Sequence, residues 1–92
     1  MADKHKAEQN AQRIAQWLID NSTEFEQQGI NENRVAAAVG LSEADATEAL
    51  DYLENREEVV RMPQALTPPQ FLLKPARGWP DIKTKAMKQA SS

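Results

Sequence analysis

The sequence predicts an α+β fold, mainly α, in which a three-helix cluster is followed by a two-stranded β-hairpin. Three observations carry this. Apolar residues recur at helical spacing in three segments between Asp3 and Asn55. The period changes at Val59, where β-branched residues begin. Prolines at 63, 68, 69, 75 and 80 then break the chain into short extended pieces.

The first helix is expected from about Asp3 to Asp20. Ala7, Ala11, Ile14 and Leu18 form one stripe, and Ala15 and Ile19 widen it. Asp3 is placed to cap its start. Asn21-Ser22-Thr23 ends it, and Thr23 to Glu26 has the spacing of a capping box that opens one further turn. Gly29 allows a sharp reversal before Ile30, a short extended point.

Asn31 is a good N-cap for the second helix, with Glu32 favourable against the helix dipole. Val35, Ala36 and Val39 give its apolar face. Gly40 stands where a left-handed C-cap is needed, and Leu41 is placed to fold back. Ser42 caps the third helix, with Asp45 three residues on. Ala46, Leu50 and Leu53 repeat at four and three, with Ala49 beside them. This helix is expected to end between Asn55 and Glu58.

Val59 to Met62 reads as a first strand and Gln70 to Lys74 as a second. A loop of about seven residues, from Pro63 to Pro69, joins them. Residues 1–80 are expected to form one domain, and 81–92 a basic tail or a short helix. Trp17 lies beside the Ile14/Leu18 stripe. Trp79 is expected to seal the core against the first helix, or to stand exposed as an anchor for a partner.

Composition narrows the function. Cysteine is absent, so neither a disulfide scaffold nor a thiolate metal site is expected. No apolar run approaches the ~18 residues that span a membrane, and the polar first ten residues suggest no export signal, so a cytoplasmic location is expected. His5 is the one histidine, and the three glycines are isolated. No metal, no cofactor, no small-molecule substrate and no enzymatic activity are expected. Charge is distributed unevenly. Residues 1–62 hold six basic and thirteen acidic side chains, a net −7, whereas residues 63–92 hold five basic and one acidic, a net +4.

The run Asn31 to Ser42, ending in Val39-Gly40-Leu41-Ser42, resembles the first helix and turn of bacterial winged helix-turn-helix regulators. Ser42 to Leu53 is similar to the second helix of that motif, and Val59 to Lys74 to the wing. The resemblance covers about residues 10–75. It implies a trihelical winged helix-turn-helix with close helix contacts at Ala36, Ala37 and Ala46. It also implies a DNA-binding transcription regulator. One departure is local: Glu57-Glu58-Val59 stands where the family has Gly-Leu-Val at the exit of the motif helix.

The larger departure concerns the partner. The positions that enter the major groove in DNA-reading members are here Glu43, Ala44, Asp45, Thr47, Glu48 and Asp51. Carboxylates against phosphate are repelled and desolvated at once. Two readings follow. In the first, Lys74, Arg77, Lys83, Lys85 and Lys88 of the wing and tail hold nucleic-acid phosphates in a salt-dependent manner. In the second, the chain binds a protein, either a basic partner through Glu43, Asp45, Glu48 and Asp51 or an apolar one through the region of Leu66, Phe71 and Trp79.

Overall fold

A computed structural model describes residues 4–64 and 70–90. The fold is α+β and mainly helical, with a three-stranded antiparallel sheet, an arrangement compatible with a winged-helix-like fold. In chain order the elements are α1 (Lys4–Asp20), α2 (Ser22–Gln28), β1 (Ile30–Asn31), α3 (Glu32–Val39), α4 (Glu43–Asn55), β2 (Val59–Gln64), β3 (Gln70–Pro75) and α5 (Trp79–Ala90). Among the described residues no helix is long and apolar enough to cross a membrane.

The predicted stripes make the core. Ile14 and Leu18 of α1, Val35 of α3 and Leu50 and Leu53 of α4 are buried together with Val59 of β2 and Leu73 of β3. Ala11, Ala15 and Ala49 are buried as well. Small side chains there let helix axes come near one another. Ala46 is buried as expected, but Ala37 is exposed and Ala36 half-buried, so the buried alanines belong to α1 and α4 rather than to α3.

The boundaries of α3 and α4 follow their local chemistry. The Asn31 side chain accepts from Asn33 N–H at 2.8 Å, and Ser42 Oγ accepts from Asp45 N–H at 3.2 Å. Gly40 is left-handed (φ 71°), and the bonds Gly40 N→Ala37 O and Leu41 N→Ala36 O close a Schellman motif. Arg13 of α1 donates to Val39 O, occupying a carbonyl at the same helix end.

Other expectations are refined or changed. The α2 segment starts at Ser22 rather than through a Thr23 capping box. Its N-cap is Asn21, which makes no side-chain cap bond and donates instead to Trp17 O at 2.8 Å. Burial of Phe25 holds this helix in place. The Ile30 extended point is a strand, pairing Ile30 with Leu73 and Asn31 with Leu72. Gly29 (φ 78°) permits it, since a Cβ there would stand 2.8 Å from Leu73 O.

The first hairpin strand does not stop at Met62, because Pro63 pairs with Phe71 and Gln64 with Gln70. The ladder explains why. Ala76 N–H donates to Glu58 O at 3.2 Å, so even-numbered residues of β2 turn their main-chain groups toward β3. Pro63 is odd-numbered and β2 is an edge strand, so its missing donor removes no bond of the sheet. Residues 65–69, including Leu66, Pro68 and Pro69, lie outside the described residues, as does Asp3.

Finally, α5 runs from Trp79 to Ala90, so a division between residues 80 and 81 falls inside a helix. Trp79 is buried, which removes it as an exposed anchor. It joins the core that holds Ala11, Ile14 and Leu18 of α1, and it meets Phe25 of α2 edge-on at 4.7 Å. Ile82 packs against the same core.

Candidate functional site

The chemistry of the molecule lies on α4 and around its end. The N-cap at Ser42 and the buried row Ala46, Ala49, Leu50 and Leu53 fix which side of α4 faces outward. That side carries Glu43, Ala44, Glu48, Asp51, Glu54 and Asn55, all exposed. Asp45 and Thr47 are partly covered, and the Thr47 hydroxyl donates to Glu43 O at 2.9 Å.

Cations reach this surface from other elements. Lys6 Nζ of α1 lies 3.6 Å from Asp45. Arg61 of β2 lies 3.3 Å from Asp51 and 2.9 Å from Glu32 of α3. Its guanidinium also lies over Phe71, 4.5 Å from the ring centroid. Arg61 is therefore enclosed between two helices and the hairpin, with its side chain 15% exposed. Phe71 lies beneath it and is not a free apolar surface. The outer face of the hairpin instead exposes Val60 and Met62.

The five cations assigned to the wing and tail do not form one patch. Lys83 Nζ binds Glu26 of α2 at 2.6 Å, and the Trp79 indole N–H donates to the same carboxylate at 3.3 Å. The Lys83 bond first, then the Trp79 bond, holds the Glu26 carboxyl below its ordinary range. Lys74 is half-buried on β3, opposite Val60. Arg77 is exposed in the turn before α5, and Lys85 is exposed on α5. Among the described residues these three have no carboxylate partner. Lys88 belongs to α5, and its side chain lies outside the described residues.

The end of α4 forms a second feature. Glu57 is left-handed (φ 59°), with Glu57 N→Glu54 O and Glu58 N→Leu53 O closing a Schellman motif like that at Gly40. Gly78 N–H donates to Glu57 O at 2.6 Å, tying this corner to the start of α5. The corner turns the Glu58 side chain inward, where it is 10% exposed. Desolvation pushes its carboxyl above the ordinary range, and Arg56 opposes the shift from 3.3 Å. An open groove of about 430 Å³ lies beside it between α1, the end of α4 and α5. No sequence motif pointed to Glu58. The one trace was the charged pair standing where the resemblance called for Gly-Leu.

Comparison with known proteins returned no similar family model, no similar curated protein and no similar solved structure.

Proposed function

We propose that the chain is a protein-interaction module that docks a basic partner against the acidic outer surface of α4, in a cytoplasmic setting. One observation carries this reading: Glu43, Glu48, Asp51 and Glu54 are exposed together along the motif helix, and the cations beside them are already paired with Asp45, Asp51 and Glu32. A groove reader needs donors at these positions, and this surface offers acceptors. A partner rich in lysine or arginine meets it with complementary charge, which speeds encounter and sets specificity more than affinity.

The test is a titration with a lysine-rich peptide at low and at near-physiological salt. Binding is expected to weaken as salt shortens the Debye length to about 8 Å. It is expected to fall at least about tenfold in Glu48→Lys/Glu54→Lys, a loss of about 1.4 kcal/mol. Equal binding by the variant overturns the reading.

A specific observation favours a second reading. Lys74, Arg77 and Lys85 lack carboxylate partners among the described residues and are suited to nucleic-acid phosphates. In that case the chain is a DNA-associated transcription regulator touching phosphates through the hairpin foot and α5. Low-salt binding to a DNA duplex, weakened by Lys74→Ala, Arg77→Ala and Lys85→Ala together, supports this second reading. Absence of binding at high protein concentration ends it.

A further inference from the structure

We propose that the groove between α1, the end of α4 and α5 accepts one basic side chain of the protein partner, its guanidinium or ammonium group facing Glu58 and its aliphatic stem lying on Ala11, Ala15, Leu53 and Ile82. This rests on the docking of a basic partner described above and names the place where that partner is anchored.

Geometry supplies the first argument. The groove has a floor of small and aliphatic side chains and a charged rim. Lysine and arginine have this same division, an apolar stem with a charged head. Its volume of about 430 Å³ leaves room for water around such a side chain.

The state of Glu58 supplies the second. Its side chain is nine-tenths buried, yet among the described residues the cation paired with it is Arg56, whose own side chain is 59% exposed. The Arg56 guanidinium is shared with Tyr52, donating to the phenol oxygen at 3.1 Å and lying 5.6 Å from the ring centroid. Of the Glu58 oxygens, Oε1 faces Arg56 Nε at 3.3 Å, and Oε2 receives no hydrogen bond among the described residues. No buried side-chain oxygen lacking a partner is present among them either, so Oε2 is not sealed off. A largely desolvated carboxylate with one poorly committed counter-ion gains most from a second cation.

Local charge supplies the third. Glu8, Glu58 and Asp81 line the groove against Arg56 and Lys85, a net of −1. The carbonyl end of α4 adds partial negative charge. The amide end of α5 at Gly78 opposes that partial charge, so the excess of one carboxylate is what favours a cationic occupant over an anionic one. Glu48, Tyr52 and Arg56 follow at intervals of four, so the groove opens off the Glu48 side of α4.

The test uses the full chain and two peptides, a lysine-rich peptide with one central arginine and its twin with citrulline at that place. Citrulline keeps the stem and removes the charge. The methyl signals of Ala11, Ala15 and Ile82 are expected to shift with the arginine peptide. The citrulline twin is expected to bind at least about tenfold more weakly, the scale of one lost charge-assisted bond. In Glu58→Gln that difference is expected to vanish, while Glu48→Lys/Glu54→Lys weakens both peptides alike.

Binding with unmoved groove methyls, or a peptide difference that survives Glu58→Gln, overturns the groove alone. Failure of both peptides to bind overturns the docking surface and the groove together. The peptide comparison on the unaltered chain gives its answer even if the variant does not fold.

Discussion

Glu57 holds a backbone conformation that costs a side-chain-bearing residue about 1 kcal/mol or more. Its main chain makes the same pair of C-terminal bonds that Gly40 makes after α3. Gly40 has nothing within 4 Å of where a Cβ would stand, so its need for glycine is purely conformational. Opposite outcomes are therefore expected from swapping residue types at the two ends. Glu57→Gly is expected to stabilise the fold by about 0.5–1 kcal/mol, less the added freedom of the unfolded glycine, and Gly40→Ala to destabilise it by about 1 kcal/mol. Urea denaturation checks both, and the result that contradicts the assignment is a Glu57→Gly variant weaker than the parent.

Among the elements, α5 and the hairpin are held by pairings that no local pattern announces. The edge-on contact between Trp79 and Phe25, with the shared carboxylate of Glu26, fastens α5 to α2 across 53 residues of chain. Trp79→Ala is expected to cost about 3–5 kcal/mol and to release α5 first, visible as faster amide exchange in 79–90 than in α4. For the hairpin, Arg61→Ala removes the link among β2, α3 and α4 and leaves Glu32 (17% exposed) without its cation. A loss of about 2 kcal/mol in thermal unfolding is expected. The caps at Asn31 and Ser42, the turn at Gly40 and the buried stripes of α1 and α4 were legible because each is written within a few residues. The β1–β3 pairing and the Lys83–Glu26 and Arg61–Glu32 pairs were not, since each joins residues far apart in sequence, and the strand through Pro63 was not, since a proline reads as a stop until its place on the outer side of an edge strand is known. The acidic face of α4 was readable from spacing alone. Glu58 was not, because its burial depends on where the left-handed turn at Glu57 directs it.

At the scale of the whole molecule, carboxylates of opposite tendency set the response to pH. Glu24, held down by its bond to Arg34, and Glu26, held down by its bonds to Lys83 and Trp79, have folded pKa values below the ordinary 4.5. Their contribution is complete above 4.5 and is lost as pH falls through the lower folded values. Glu58 has the reverse sign. Burial raises its folded pKa above 4.5, so its penalty is fully present above the raised value and disappears as pH falls toward 4.5. Descending from neutral pH, stability is expected to rise slightly as Glu58 takes up a proton and then to fall as Glu24 and Glu26 do, giving a maximum on the mildly acidic side. Glu58→Gln removes the first limb: its melting temperature is expected to exceed the parent's at pH 7, with the gap closing toward pH 4.5. Glu26→Gln is expected to lower the melting temperature at pH 7 and to converge with the parent in acid. Melting curves of the three proteins across this range decide the matter, because a Glu58→Gln variant less stable than the parent at neutral pH would mean that Arg56 compensates the buried charge in full.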